Sequence, residues 1–139
     1  MRKLIFAAIF IVLASLAVFT QRIEDGSRRT IGYISSSGAV ENSSRRTLGY
    51  IDSNGRVEDS SRRTIGYILE NGRVEDSSRR TIGYISSNGT VENSSRSTIG
   101  YVNSNGTVED SSRRTIGYTD NVKTEHAAVF FFFFFNAGK

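Results

Sequence analysis

The chain has 139 residues, no cysteine, no proline and no tryptophan, and a formal net charge of +4 from 18 basic and 14 acidic side chains. Without a thiol there is no disulfide framework, no thiolate metal centre and no lipid attachment at a cleavage-site cysteine, so a small domain must rest on sheet pairing and packing alone. The charge gives nucleic acid little to hold, because repeated Arg is answered by repeated Glu and Asp, whereas such binding needs an unanswered positive patch.

Met1-Arg2-Lys3 supplies a positive start, residues 4–18 are apolar apart from Ser15, and polar sequence begins at Thr20-Gln21-Arg22. This is the layout of a secretory signal. The expected organisation is therefore a signal peptide over 1–20, a repeat domain over 21–135 and a tail over 136–139, with the mature chain secreted or periplasmic. Cleavage after Thr20 has a rival after Ala17, and an uncleaved anchor is the alternative. The apolar stretch falls short of the about 20 residues that a spanning helix uses, so the mature chain is expected to carry no transmembrane span. Removing Arg2 and Lys3 leaves 16 basic side chains against 14 acidic ones.

From Arg28 onward, Arg-x-Thr-[Ile/Leu]-Gly-Tyr recurs every 17 residues, at Arg28, Arg45, Arg62, Arg79, Arg96 and Arg113. A unit this short cannot bury an apolar face alone, so copies must stack or ring. Within one copy, Thr64-Ile65-Gly66-Tyr67-Ile68 is β-branched and aromatic and reads as a strand. Asn71-Gly72 then signals a two-residue hairpin turn, and Arg73-Val74-Glu75-Asp76 the returning strand. Asp-Ser-Ser-Arg or Asn-Ser-Ser-Arg turns the chain into the next copy.

With Asn54-Gly55 as a two-residue turn, Ile51 is expected opposite Glu58 and Tyr50 opposite Asp59. That register puts Leu48, Tyr50 and Val57 on the core face, with Ile51 on the other side. The six tyrosines (Tyr33, Tyr50, Tyr67, Tyr84, Tyr101, Tyr118) are accordingly read as core. Gly49 and its equivalents interrupt every outgoing strand, where Gly normally weakens a sheet, and their recurrence points to a crowded place where backbones approach closely.

The two ends complement each other. Arg22-Ile23-Glu24-Asp25 is a return strand without a preceding partner, and Thr115-Ile116-Gly117-Tyr118-Thr119 is an outgoing strand without a following return. Pairing them closes a ring and removes exposed edges. The expected fold is an all-β closed ring of 17-residue antiparallel hairpins, five closed by x-Gly turns and two half-units able to make a sixth; an open β-solenoid is the alternative.

Six consecutive phenylalanines at 130–135 follow Ala127-Ala128-Val129. Nine apolar residues are too few to span a bilayer at about 1.5 Å per residue. The segment from Glu125 to Phe135 is therefore read as a helical plug against the ring's apolar face, with a buried strand as the alternative, since period decides nothing where every position is apolar.

The Gly-Tyr-Ile and Asn-Gly-x-[Val/Ile]-Glu rhythm, the leader and the Phe-rich end together resemble the secreted β-flower (5-fold beta-flower) repeat proteins of Bacteroidota, over roughly residues 21–135. The resemblance implies a ring of hairpin petals and supplies no functional residues.

Catalysis requires dissimilar groups converging on one place, and this chain repeats the same Arg, Glu and Tyr. Its only His, His126, reads as a polar residue beside the apolar segment. No enzyme, cofactor or metal is expected. The function read from the residues is a secreted, non-enzymatic repeat protein with a structural or interaction role at the bacterial envelope, monomeric, with a glycan or envelope component as partner. A multivalent carbohydrate-binding module is the competing class, for which Arg29, Arg46, Arg63, Arg80 and Arg114 are the candidate ligand-binding residues through paired guanidinium hydrogen bonds to an anionic group. A peripheral membrane protein held by its Phe tail is the third.

Overall fold

The computed structural model describes residues 21–135; the expected leader and tail lie outside the described residues. β1 (Gln21–Asp25) is followed by five hairpins. They are β2 (Thr30–Ile34) with β3 (Ala39–Asn42), β4 (Thr47–Ile51) with β5 (Arg56–Asp59), and β6 (Thr64–Ile68) with β7 (Arg73–Asp76). β8 (Thr81–Ile85) with β9 (Thr90–Asn93) and β10 (Thr98–Val102) with β11 (Thr107–Asp110) complete the five. β12 (Thr115–Asp120) then pairs with β1, closing a twelve-strand antiparallel barrel.

The half-units thus form a sixth petal. Its register, Tyr118 opposite Glu24 and Thr119 opposite Ile23, reproduces that of an intact petal, in which Tyr33 faces Glu41 and Ile34 faces Val40. A seam without a covalent turn is held in the same way as a hairpin with one. Closure leaves no open edge, so the solenoid alternative does not form.

The x-Gly turns correct the expected register. Asp52 N–H donates to the Arg56 carbonyl at 3.0 Å and Gly55 N–H to the Asp52 carbonyl at 3.1 Å, enclosing a three-residue loop, 53–55. Within that loop only Gly55 takes a positive φ, 90°. A two-residue turn would have required it of Asn54 as well. The extra loop residue moves the pairing by one, so Ile51 faces Val57 and Tyr50 faces Glu58. A slip of one residue exchanges the two faces of a strand. Gly49, Ile51 and Val57 are consequently the buried set, while Leu48 and Tyr50 are only half-buried.

Leu48 has its own reason for leaving the alternation. Between petals the pairing skips one residue in every copy: Val40 faces Gly49 and Glu41 faces Thr47, so Leu48 is unpaired. Ile31, Ile65, Ile82, Ile99 and Ile116 occupy the same bulge. A bulge kinks the strand and re-aims a side chain, and all six pack against the central cluster.

The interior wall has a ring of Ile23, Val40, Val57, Val74, Val91 and Val108, each at 0% exposure. After β12 the chain enters the barrel as α1 (Thr124–Ala128), packed against β10, and continues into a π-helical turn, Val129–Phe133. Ala127, Ala128, Val129, Phe130, Phe131 and Phe135 are buried, and Phe132, Phe133 and Phe134 pack on the same cluster. The apolar segment is therefore a helical plug inside the ring, as its composition suggested, and the strand alternative is set aside.

The mid-strand glycines face this plug. A Cβ added at Gly83 would lie 2.5 Å from the Glu92 carbonyl oxygen and 2.5 Å from the Phe133 ring. Every outgoing strand has the same crowding. Gly83→Ala is expected to destabilise the protein by about 1–3 kcal/mol, the usual cost of overpacking, read as a lower urea midpoint with unchanged slope. An unchanged midpoint would show that the glycine leaves room the geometry denies.

Candidate functional site

Three features repeat around the barrel or break its repetition: a belt of Arg, Tyr and Glu on the outer wall, a rim of outer arginines, and a polar mouth. The belt begins in the turn between petals. Asp59 N–H donates to the Arg63 carbonyl and Arg62 N–H to the Asp59 carbonyl, 2.9 and 3.0 Å, so this too is a three-residue loop. Its last position is left-handed, and an arginine occupies it in all six copies, Arg28, Arg45, Arg62, Arg79, Arg96 and Arg113, at φ between 64° and 68°. For a residue with a Cβ this conformation costs roughly 1–2 kcal/mol.

The strained backbone aims the guanidinium across the petal. Arg62 lies 3.4 Å above the Tyr50 ring centroid, and its Nη1 is 3.2 Å from Glu58 Oε1. Tyr50 and Glu58 are themselves cross-strand partners. The same triad recurs at 3.5 Å in the other five petals. In the split petal it joins Arg28 and Glu24 to Tyr118, fastening the first strand to the last. Glu58 and Glu75 are buried in this belt because a second arginine, Arg56 or Arg73, covers each from its own strand.

The candidate ligand-binding arginines occupy the next position. Arg29, Arg63, Arg80 and Arg114 each place Nε 3.0–3.1 Å from the Asp25, Asp59, Asp76 or Asp110 carboxylate, with 81–84% of the side chain exposed. Arg46 meets Asn42 instead of Asp, and among the described residues it has no ion-pair partner. The Asp carboxylate also caps the turn, accepting backbone N–H bonds from Ser61 and Arg63 in the third copy. Asn42 and Asn93 perform the same capping with one oxygen, which explains why Asp and Asn interchange there.

Those backbone donors, foremost that of the arginine four residues on, hold Asp25, Asp59, Asp76 and Asp110 below the ordinary aspartate pKa. A carboxylate acidified by folding stabilises the fold above its unfolded pKa, about 3.9, and the contribution is lost as pH falls through the lower folded value. Thermal stability is expected to hold from neutrality to about pH 4 and to decline below it. Asp59→Asn, which keeps the capping oxygen, should flatten that decline.

At the end carrying the x-Gly turns, a cleft of about 1090 Å³ opens between α1 and the first four such turns. Ser36, Asn54, Asn71 and Ser87 face the start of α1, Lys123 to His126. His126 is half-buried here, and burial, with Lys123 adding to it against Glu125, lowers its pKa, so the ring is neutral at physiological pH. No group of three or more His, Cys, Asp or Glu able to hold a metal occurs among the described residues.

The two consecutive arginines of a turn, Arg62 and Arg63 in the third copy, take different roles. The first is consumed by Tyr and Glu, the second faces outward. The signal was present in the fixed spacing of Glu and Arg four residues apart with Tyr across the hairpin.

For the belt, a stack worth about 0.5–1 kcal/mol and an exposed ion pair worth about 0.2–1 kcal/mol nearly offset the backbone strain. Arg96→Gly, which relieves the strain while losing both contacts, should therefore change stability by less than about 1 kcal/mol. Arg96→Ala keeps the strain and should cost about 1–2 kcal/mol. Equal effects in chemical denaturation would contradict the left-handed backbone as the site of that balance.

No curated protein and no solved structure matches the chain. Among the described residues, no helix is long and apolar enough to cross a membrane. The family model described as 5-fold beta-flower protein matches residues 20–135, the whole of the barrel and its plug, although this chain closes with six petals. The chain belongs to the 5-fold beta-flower family, and its fold is an all-β repeat domain closed into a ring.

Proposed function

We propose that the protein is an exported interaction scaffold of the bacterial cell envelope, a rigid ring whose rims meet partners and whose wall is committed to holding the ring closed. One observation carries this reading against a sugar-stacking lectin. In every petal the Tyr face that would receive a sugar is covered by an arginine at 3.4–3.5 Å. An aromatic platform already stacked gives up that contact before it gains another. The leader-like layout of residues 1–20 supports export, and the placement of residues 130–135 inside the ring leaves the Phe run little to offer a bilayer.

A second reading, contact with an anionic glycan, is favoured by the outer arginines alone. Arg29, Arg63, Arg80 and Arg114 use Nε for their aspartates, and the side chains are otherwise exposed. Terminal guanidinium nitrogens left free in this way suit carboxylate or sulfate groups, and repetition around one rim would supply avidity.

Expressed with its leader in a Gram-negative host, the protein should be recovered by osmotic shock with an N-terminus at or near Gln21. Full-length protein confined to the cytosol would overturn export. On an array of neutral and acidic glycans the mature chain should be silent. Retention by uronic or sulfated glycans that is lost on changing Arg29, Arg46 and Arg63 to Gln would favour the second reading over the first.

A further inference from the structure

The petals are so alike that nothing within one copy specifies how many should close. Petal pairing has the same register at every junction, the split petal included. The number of repeats supplies six petals, and a device at the centre must match that number if the closed barrel is to be filled.

The Phe run has the form of that device. The ring nearest to where a glycine Cβ would stand is Phe130 at Gly32, Phe131 at Gly117, Phe132 at Gly100, Phe133 at Gly83, Phe134 at Gly66 and Phe135 at Gly49. Each petal has one glycine and receives one ring. The assignment is also ordered: successive phenylalanines address successive petals, starting at the first, crossing the seam to the sixth and returning to the second. Six residues make one circuit, about 60° each, whereas an α-helix turns about 100° per residue.

The backbone adapts to that demand. α1 gives way to a π-helical turn at Val129, Phe134 N–H donates to the Val129 carbonyl five residues back at 3.0 Å, and Phe134 departs from helical geometry at φ −122°. A π-turn is a rare, wider turn, found mostly as a single turn within a helix and frequently at functional sites. Here it spreads consecutive side chains more slowly around the axis, toward one per petal.

We infer that the Phe run is a ruler: its length sets the number of petals at which the closed barrel is fully packed, one aromatic ring read by one glycine socket. The family is described as five-fold, and this chain, with six rings, has six petals. The ruler acts on the closed state, since an unmatched ring has no socket and an unmatched socket leaves a void beside a strand that has no side chain to fill it.

The test is a cycle on the complete protein. Residues 69–85, one full period, are deleted, Phe133 is deleted, and both are deleted together; a second cycle duplicates 69–85 and adds a seventh phenylalanine. Deleting Phe133 should lower the Tm of the six-petal chain and raise that of the five-petal chain, by at least about 5 °C each way. The added phenylalanine should lower the Tm of the six-petal chain and raise that of the seven-petal chain. A change of the same sign in both backgrounds overturns the ruler, and so does failure of both matched chains to unfold cooperatively.

Discussion

The structure depends on the close approach of six aromatic rings to six glycines. An outgoing strand with Gly at its centre is poor by its own accounting, since it loses side-chain contacts and adds chain entropy. It becomes the right choice once a ring must sit where a Cβ would stand, as Phe133 does at Gly83. The barrel wall is thin at those six points so that the plug can be thick. Neither element has a reason to exist alone: the hairpins enclose a space that only the plug fills, and a run of six phenylalanines has no tolerable place in water.

That constraint orders the rest. Bringing the glycine inward brings Ile51 and Val57 with it, because residues two apart share a face, and sends Tyr50 outward to its partner Glu58. A half-buried Tyr beside a carboxylate on an outer wall then invites a cation. Arg62 supplies it from a left-handed turn position that would ordinarily belong to glycine. The inner and outer layers are thus two consequences of one phase of alternation. In the sixth petal the outer triad also bridges the chain's two ends, so the seam is stitched outside by Arg28 and Tyr118 and supported inside by the Phe131 ring against Gly117.

Much of this was legible in the residues. The 17-residue period gave a succession of hairpins, the unmatched halves at Arg22 and Thr115 gave closure, and the Phe run gave the plug. The register was not legible, because Asn54-Gly55 serves a two-residue turn and also a three-residue loop whose last residue is glycine. One residue of loop separates the two, and it decides which face is core. The glycine itself held the answer: a crowded Gly49 belongs inside, and its face-mate is Ile51, not Tyr50. The strain at Arg62 was hidden because turn chemistry rarely offers that position to arginine, and only the geometry shows what the strain aims. The polar mouth had no sequence signal, since it arises from where α1 leans against β10.

Closure around the plug, which makes one cooperative unit of twelve short strands, is most directly tested by calorimetry of a chain ending at residue 128, lacking the Phe run. The account predicts that this truncation shows no cooperative unfolding transition. A sharp transition near that of the full chain would show that the barrel closes without its plug and would contradict the dependence argued from the six glycines.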